Sequence, residues 1–418
     1  MPTPSLLIVP ARFKTGRLYS QIPTSGAGDF TVTRNTEARR FDSAGLVASV
    51  ASGIPRLDYY TSGGVTGCPA LLVEPAATNL FSRSNDFLNS GWVKVRSTIT
   101  SGTTTSPDGT LNASTINCDA SGTAGCWVRQ TVALSSERTA SIFVKPNTAQ
   151  FFQIQRDFGR GVVFNLASGT IKESVTATGT ITPFPNGWYR CTAHFSGTGE
   201  TLFLVGNSSM TVTSWSSNLN ESLFIYEAQM EAGTIATSPI PTTAGTGSRS
   251  ADVISVSGAV SGSIGQTEGT IYFEYYHNTA TNAGIRNAFN LEGNVANQFN
   301  GINFATSNNG NDLQVAVQVS SSSVVSGGAF STSVSEGWHK VAFGYNTAAT
   351  GTVFYFDGNL IATRTLTNIP VMSRIALMAR ANPFAGFDLD RQFNNRIRAA
   401  ALYTTRLSNA ELASLTAP

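Results

Sequence analysis

Short segments in which apolar and polar residues alternate recur along much of this chain. Residues 139–145 alternate through Ala140, Ile142 and Val144, and residues 151–155 follow the same rule. A period of two is that of a β-strand with one buried face. Several short strands at such regular spacing predict a β-sandwich rather than a helical or α/β fold.

The segments between these alternations carry turn residues with clear backbone reasons. Asn186-Gly187 tolerates positive φ, and the proline of Pro107-Asp108-Gly109 presets φ for a turn. The chain holds 39 glycines and only 12% charged residues. Because long exposed helices need charged surfaces, this composition favours short strands joined by tight turns. The predicted class is therefore all-β.

Composition divides the 418 residues into four predicted parts. Residues 1–80 are irregular, with short apolar runs broken by Gly, Pro and Ser, and they lack an obvious core of their own. Residues 81–236 hold the first series of strands. Residues 237–250 are rich in Pro, Thr and Gly, which is typical of a linker. Residues 251–418 hold the second series. We expect the irregular first part to pack against something larger.

The second series contains the clearest local signals in the chain. Residues 352–356 and 360–366 flank Asp357-Gly358-Asn359, a pattern that predicts a β-hairpin. One short helix is predicted near the C-terminus, because Ser408 and Glu411 have the spacing of a capping box.

Several motifs occur in an order that resembles phage tail-fibre and head-fibre proteins. The motifs are 45–47 (GLV), 55–59 (PRLDY), 71–75 (LLVEP), 78–80 (TNL), 84–87 (SNDF), 91–92 (GW), 106–110 (SPDGT), 186–191 (NGWYRC) and 227–233 (EAQMEAG). The resemblance covers about residues 29–252. It implies a virion fibre, tail-tip or head-spike subunit whose central module is similar to a jelly-roll carbohydrate-binding module.

The last part of the chain resembles a concanavalin A-like or laminin G-like sandwich. The resemblance lies in residues 337–341 (GWHKV), the hairpin at residues 356–358 and the terminal residues 407–412. The expected architecture is thus all-β, with tandem β-sandwiches, a jelly roll and then a concanavalin A-like sandwich, after an irregular N-terminal attachment segment. A fold shared by many proteins does not by itself identify a function.

The resemblance also implies partners and a location. Residues 1–80 would contact other virion proteins, both sandwiches would face host cell-surface glycan, and analogy with fibres implies a homo-oligomer, a trimer. The formal net charge of +2 gives no support for a nucleic-acid partner, and no apolar run of 18 residues predicts membrane insertion. No signal-peptide pattern is apparent at the N-terminus. A virion protein made in the host cytoplasm and released by lysis fits these features.

Sequence motifs of catalysis do not stand out, so we predict a non-enzymatic protein with no catalytic residue. Glu227 and Glu231 lie four apart on a predicted strand, which places their backbones about 13 Å apart, too far for a glycosidase pair. Asp388 and Asp390 lie two apart on one face, about 6.6 Å by the same rise. An ion pair with Arg391 or a turn cap explains them more simply. A capsule-polysaccharide depolymerase remains the alternative, as does a virion decoration without a ligand.

Sugar binding needs aromatic faces for pyranose C–H groups and polar side chains for hydroxyls. The candidate residues are Trp127, Trp215, Tyr275 and Tyr276, which lie near loops rich in Asn and Ser. Other tryptophans begin strands and are expected in the core, namely Trp92, Trp188 and Trp338.

No cofactor is expected, and two further candidate sites have simple alternatives. Asp357 and Asn359 offer oxygen ligands for calcium, although a plain hairpin turn explains the same residues. Cys118 and Cys126 flank a glycine-containing loop and are a candidate disulfide, although two free thiols fit the same spacing.

Overall fold

The fold is described from a computed structural model of the chain. It describes residues 1–59, 61–62, 65–132, 137–157, 159–197, 200–278, 285–293, 298–307, 310–326, 330–382, 386–388 and 392–418. Within these residues the protein consists of antiparallel β-sheets and one α-helix, which confirms the predicted all-β class.

The described part of residues 1–80 forms eleven short strands. They are β1 (Leu6–Ile8), β2 (Phe13–Lys14), β3 (Arg17–Leu18), β4 (Phe30–Thr33), β5 (Ala38–Phe41), β6 (Val47–Val50), β7 (Arg56–Asp58), β8 (Thr61–Ser62), β9 (Val65–Thr66), β10 (Ala70–Val73) and β11 (Ala77–Asn79).

The central part folds into a sandwich of two six-stranded sheets. Its strands are β12 (Val93–Val95), β13 (Ser97–Thr104), β14 (Ala113–Cys118), β15 (Cys126–Gln130), β16 (Arg138–Pro146), β17 (Phe151–Asp157), β18 (Arg160–Asn165), β19 (Thr170–Val175), β20 (Thr178–Pro183), β21 (Tyr189–Phe195), β22 (Thr201–Gly206) and β23 (Ser222–Ala232). A 3₁₀ turn at Pro185–Gly187 joins β20 to β21. One sheet has the order β12-β15-β22-β17-β18-β19, and the other has the order β13-β14-β23-β16-β21-β20.

The last part supplies most of a second sandwich. Its strands are β24 (Gly247–Arg249), β25 (Val253–Ser257), β26 (Gly269–His277), β27 (Asn287–Glu292), β28 (Gly301–Thr306), β29 (Asp312–Val319), β30 (Ser322–Ser323), β31 (Val325–Ser326), β32 (Phe330–Ser333), β33 (Gly337–Tyr345), β34 (Thr352–Phe356), β35 (Asn359–Leu366), β36 (Arg374–Leu377), β37 (Arg380–Asn382), β38 (Gly386–Asp388) and β39 (Asn395–Tyr403). A 3₁₀ turn spans Ala259–Ser263, and α1 covers Asn409–Thr416.

Strands from the N-terminal part complete this second sandwich. Strand β39 pairs with β26 on one side and with β1 and β10 on the other, so Leu6 lies opposite Leu402 and Leu71 lies opposite Ile397. Strand β4 pairs with β25 in the facing sheet. The structure therefore differs from the expected separate attachment segment at residues 1–80. Several short apolar runs of residues 1–80, such as those in β1, β4 and β10, are single strands of these larger sheets.

Each sandwich has its own apolar core. The central core contains residues such as Phe81, Trp92 and Phe203 between the two six-stranded sheets. The second core includes N-terminal Phe30 beside C-terminal residues such as Phe273. Alternation along the strands puts these side chains inside.

The central sandwich is an insertion into the second one, and the chain enters and leaves it at one place. Strand β10 ends one residue before Glu74, and β25 begins one residue after Asp252. The Asp252 amide donates to the Glu74 carbonyl at 3.0 Å, and the Glu74 amide donates to Asp252 Oδ2 at 3.0 Å. The two connections between the sandwiches are thus hydrogen-bonded directly to each other.

Three buried arginines surround this crossing. Arg56 lies between Glu74, at 2.5 Å, and Asp252. Arg34 contacts Asp252 at 2.9 Å, and Arg249 contacts Glu74 at 3.0 Å. We call these five residues the junction network. Burial raises the pKa of Glu74, but Arg249 and Arg56 outweigh that effect and hold the pKa well below its ordinary value.

The predicted linker at 237–250 is packed into this junction. Thr237 and Ser238 are 4% and 6% exposed, and the Ser238 hydroxyl donates to Glu74 at 2.6 Å. Strand β24 pairs with β11. The prolines and threonines that predicted a linker follow an irregular path, and polar groups of Thr237 and Ser238 are hydrogen-bonded at the junction.

The predicted C-terminal helix is confirmed as α1. The Ser408 hydroxyl accepts from the Glu411 amide, and the Glu411 carboxylate accepts from the Ser408 amide, so both halves of the capping box are present. Among the described residues, no helix combines the length and apolar character needed to cross a membrane.

We predict that Arg56→Met strongly destabilises the protein. The substitution leaves Glu74 and Asp252 buried with less compensation, and breaking a buried ion pair in this way costs about 3–5 kcal/mol. Urea unfolding at pH 7, followed by tryptophan fluorescence, measures the change in the free energy of unfolding.

The matched control is Arg83→Met. Arg83 pairs with Asp86 at 3.3 Å, but the two side chains are 39% and 49% exposed. Exposed pairs of this kind contribute about 0–1 kcal/mol. Equal losses in the two variants would contradict a special role for the junction network.

Candidate functional site

Trp127 lies on the outer face of the central sandwich. Along β15, Cys126 and Val128 point into the core, so Trp127 and Arg129 point outward. The neighbouring strand β22 places Leu204 opposite Trp127 and Leu202 opposite Arg129. The outer face of this sheet is therefore apolar near Trp127, and it can hold a covering segment.

That covering segment is the connection between β22 and β23, and it carries Trp215. Residues Met210 and Val212 of this connection pack on Leu202 and Leu204 in a small satellite cluster. A β-bridge joins Ala124 to Trp215. The sequence does not predict this contact, because Trp127 and Trp215 are far apart in the chain and meet only when the loop folds over the sheet.

The two indole rings form an edge-to-face pair. Their centroids are 5.2 Å apart and their planes meet at 70°. Gly125 permits the approach: its φ is +67°, and a Cβ atom there would lie 2.9 Å from the Cβ of Trp215 and 3.2 Å from the Trp127 ring. The absence of a side chain at Gly125 thus allows the two indole rings to pack together at the start of β15.

A concavity of about 520 Å³ opens beside this pair. Its rim carries an ion pair between Arg129 and Glu200, and a second between Arg156 and Asp157 at 3.2 Å. The ion pairs place charged hydrogen-bonding groups next to half-buried indoles. This combination can contact both the apolar faces and the hydroxyl groups of a sugar.

Tyr275 does not belong to this site, which corrects its prediction as a sugar-binding residue. It is fully buried, and its ring packs near His277, His339 and Phe393. Burial raises the pKa of its phenol. Its position on β26 is the core-facing one, shared with Phe273, so its ring cannot contact a ligand from solvent.

Tyr276 takes the opposite face of β26 and is half-buried. Its ring packs edge to face on Trp338 at 5.7 Å, and its hydroxyl donates to Glu336 at 3.1 Å. It lines a cleft between the two sandwiches, a different place from the concavity of Trp127 and Trp215. The prediction therefore grouped Tyr275 and Tyr276, which are adjacent in sequence but lie in different surroundings.

The core predictions for tryptophan fit two of three residues. Trp92 and Trp188 are each 1% exposed, and their indole nitrogens donate to the Arg83 and Thr105 carbonyls. Trp338 is only half-buried, with the Arg398 guanidinium 3.9 Å from its ring centroid.

Cys118 and Cys126 are free thiols in the structure, so the candidate disulfide is not formed. Both are buried in the central core, where the Cys126 thiol contacts the Ser217 hydroxyl at 3.4 Å. The hydrogen bond between the two thiols lowers the pKa of Cys126 to about 6 and raises that of Cys118. The spacing brought the cysteines together, as expected, without a covalent bond.

The calcium candidate has the geometry of an ordinary turn. Asp357 and Gly358 have positive φ, as the two central residues of a tight hairpin do. The Asp357 carboxylate receives the Lys340 amide at 2.9 Å and contacts His339 at 2.6 Å, while Asn359 donates to the Asp357 carbonyl. Within the described ranges, no cluster of three or more His, Cys, Asp or Glu side chains could hold a metal.

The carboxylates weighed for catalysis fall into two groups. The side chains of Asp388 and Asp390 lie outside the described residues. Glu227 and Glu231 are both buried on β23. Glu231 accepts hydrogen bonds from the amide and hydroxyl of Thr237, so it belongs to the protein's internal bonding.

Glu227 is the unusual member of the second group. It sits at a β-bulge with φ of 44°, and its Oε2 atom is buried without a hydrogen-bond partner among the described residues. Burial is the main reason that its pKa rises to about 7, with the nearby Asp108 adding to the effect and Arg39 opposing it.

We predict that Glu227→Gln stabilises the protein at alkaline pH. The raised pKa means that the contribution of Glu227 is fully present below its ordinary pKa of 4.5 and is lost as pH rises through about 7. At pH 8 the neutral amide avoids the buried charge, so the gain reaches about 3 kcal/mol. Urea unfolding from pH 4 to pH 8 measures it, with Glu37→Gln at an exposed carboxylate as control. A gain independent of pH would contradict this explanation.

No family model matches the chain, and no curated protein matches it. Among solved structures, the Ruminococcus gnavus IT-sialidase CBM40 bound to α2,3-sialyllactose is 16% identical, with a TM-score of 0.29 over 36% of this chain and 84% of that one. A heptameric SAP-like pentraxin from Limulus polyphemus is 13% identical, with a TM-score of 0.28 over 35% of this chain and 68% of that one.

A third similar structure spans more of the chain. The Trypanosoma rangeli sialidase in complex with sialic acid is 9% identical over 93% of this chain and 76% of its own, with a TM-score of 0.28. These three structures are thus a sialidase CBM40 bound to a sialylated sugar, a pentraxin and a sialidase. At these TM-scores the likeness carries no argument about the fold, the ligand or any activity of this chain.

Proposed function

We propose that this protein is a carbohydrate-binding protein and that sugar binds at the concavity of Trp127 and Trp215. The observation that supports it is the pair of half-buried indoles held on an outer sheet face, beside two ion pairs. An indole face packs against the C–H groups of a pyranose ring, while carboxylates and guanidinium groups bond to its hydroxyls.

The geometry favours a shallow, weak site over a deep one. The concavity is open, and its indoles pack partly on each other, so one sugar residue would cover only part of the aromatic surface. Shallow sites of this kind gain effective affinity when several copies face the same surface. A homotrimer, as in phage fibres, supplies that multiplicity and is part of the proposal.

The finer role that we propose is a structural component of a bacteriophage particle, a tail fibre, tail tip or head spike, that binds host surface glycan. Its support is the sequence resemblance over residues 29–252. Because β1, β7 and β10 belong to a sheet of the second sandwich, contacts with other virion proteins would use exposed N-terminal positions such as Val9 and Phe13.

Two alternatives make different predictions. A capsule depolymerase using Asp388 and Asp390 would release reducing or unsaturated ends from host polysaccharide, and the double variant Asp388→Asn/Asp390→Asn would lose that release. A decoration without a ligand would remain on the particle and fail to bind host cells.

We predict that Trp127→Ala and Trp215→Ala each weaken binding to an array of bacterial surface polysaccharides. Loss of one stacking ring removes about 1 kcal/mol or more, equivalent to several-fold in affinity per site. Phe13→Ala is the matched control, because this exposed aromatic residue is not among those lining the concavity. Equal binding by wild-type protein and both tryptophan variants would rule out this site.

Binding to whole host cells tests the biological role. We expect the labelled oligomer to bind cells and to lose that binding after periodate oxidises the surface sugars. Binding that survives periodate would indicate a receptor other than glycan. Absence of binding by a correctly assembled oligomer would leave a structural virion part.

A further inference from the structure

A second cavity lies between the two sandwiches, away from Trp127 and Trp215. Its volume is about 300 Å³, at the lower end of the range for ligand pockets. The central sandwich contributes the outward faces of β20 and β21, and the second sandwich contributes Tyr276 and the start of β39. We call this cavity the inter-sandwich cleft.

Arg190 is the central charged group of the cleft. Along β21, Cys191, Ala193 and Phe195 face the core, so Arg190 points outward. Its guanidinium donates to the Ser141 hydroxyl at 3.1 Å and to the Thr237 carbonyl at 2.6 Å. Among the described residues, no carboxylate lies within ion-pair distance of Arg190, and burial lowers its pKa. The guanidinium thus has neutral hydrogen-bond partners, and the carboxylates of Glu231, Glu74 and Glu227 attract it from beyond ion-pair distance.

The other charged groups at the cleft already have partners. Glu74 is held by Arg56 and Arg249 in the junction network, and Arg396 contacts Asp58 at 2.6 Å. Around these, His194 contacts Glu137, and the exposed Glu336 receives the hydroxyl of Tyr276. Arg190 therefore remains the cation to which an incoming anion can bind most directly.

Two amides on the opposite wall supply neutral hydrogen-bonding groups. Asn395 is 2% exposed, and its Nδ2 atom has no hydrogen-bond partner among the described residues, although its Oδ1 atom accepts from the Arg396 amide. Asn394 is 9% exposed and also lines the cleft. A buried amide donor without a partner is costly unless a ligand or water meets it.

Aromatic rings complete the lining. Tyr276 stands on the side of the second sandwich, supported by Trp338. Phe184 stands on the side of the central sandwich, packed 4.7 Å from Phe41 and 5.2 Å from Phe143. Apolar walls with a few fixed polar groups are typical of a small-molecule site.

We propose that the inter-sandwich cleft binds an acidic monosaccharide unit, whose carboxylate pairs with Arg190 and whose hydroxyls bond to Asn394 and Asn395. The guanidinium offers the planar donors that a carboxylate accepts. The sugar ring lies between Phe184 and Tyr276. Hexuronic acids and nonulosonic acids share this chemistry, so both are candidate ligands. The site is separate from the concavity of Trp127 and Trp215 and does not depend on it.

Isothermal titration with the intact protein tests the proposal. The probes are sodium glucuronate, sodium N-acetylneuraminate and, as the neutral match, methyl β-D-glucoside. We expect one acid or both to bind, more weakly at higher salt, and the glucoside to bind at least tenfold more weakly. Arg190→Gln should weaken binding of the acid by roughly tenfold or more, because a charge-assisted hydrogen bond is lost.

Asn394→Ala is the second variant, in case Arg190→Gln impairs folding. This substitution leaves the hydrogen bonds of Arg190 to Ser141 and Thr237 intact. It should also weaken binding of the acid, whereas Trp127→Ala should leave it unchanged. No binding of either acid by the wild-type protein, or binding unchanged in both cleft variants, would overturn the proposal. If only Trp127→Ala lost acid binding, the acid would bind at the concavity of Trp127 and Trp215, and the cleft proposal would be overturned. If instead Trp127→Ala and Trp215→Ala left polysaccharide binding unchanged, the proposal for that concavity would fail and the cleft proposal would still stand.

Discussion

The buried contacts of Arg56 with Glu74 and Asp252 fix the arrangement of the whole chain. The central sandwich is inserted between β10 and β25, so its two connections must leave the second sandwich side by side. Glu74 and Asp252 stand at those connections and bond to each other through the backbone as well as through Arg56. Charges buried this deeply give little net stability when paired, but they penalise any arrangement that leaves one of them unpaired. We therefore infer that the junction network contributes more to a unique arrangement than to stability.

Local signals in the sequence predicted the elements well and their partners poorly. The alternation of residues 139–145 and the capping box at Ser408 depend on neighbours in the chain, and both give the expected structures in β16 and α1. The pairing of Leu6 with Leu402 has no such local signal, because a short strand does not specify which edge it joins. For the same reason the first 80 residues looked like a separate segment.

Several residues of the motifs that resemble phage fibre proteins form buried polar contacts at or near the junction. Arg56 and Glu74 belong to the motifs at 55–59 and 71–75, and both are buried ion-pair residues. Asn79, from the next motif, is fully buried, and its amide donates to the Ala228 and Ile240 carbonyls. These residues maintain the inserted sandwich rather than a binding surface, so a sequence resemblance based on them informs about architecture more directly than about ligands.

The two candidate sites differ in how far the sequence could reveal them. Trp127 was a candidate as an aromatic residue near loops rich in Asn and Ser, and alternation along β15 places it outside. The same alternation puts Tyr275 on the buried face of β26, opposite Tyr276. The cleft could not be predicted, since Arg190 and Asn395 belong to different sandwiches. Its floor is shared with the junction: Thr237, which accepts from Arg190, adjoins Ser238, which donates to Glu74. A ligand bound there would contact both sandwiches, so its binding free energy would add to the stability of their arrangement.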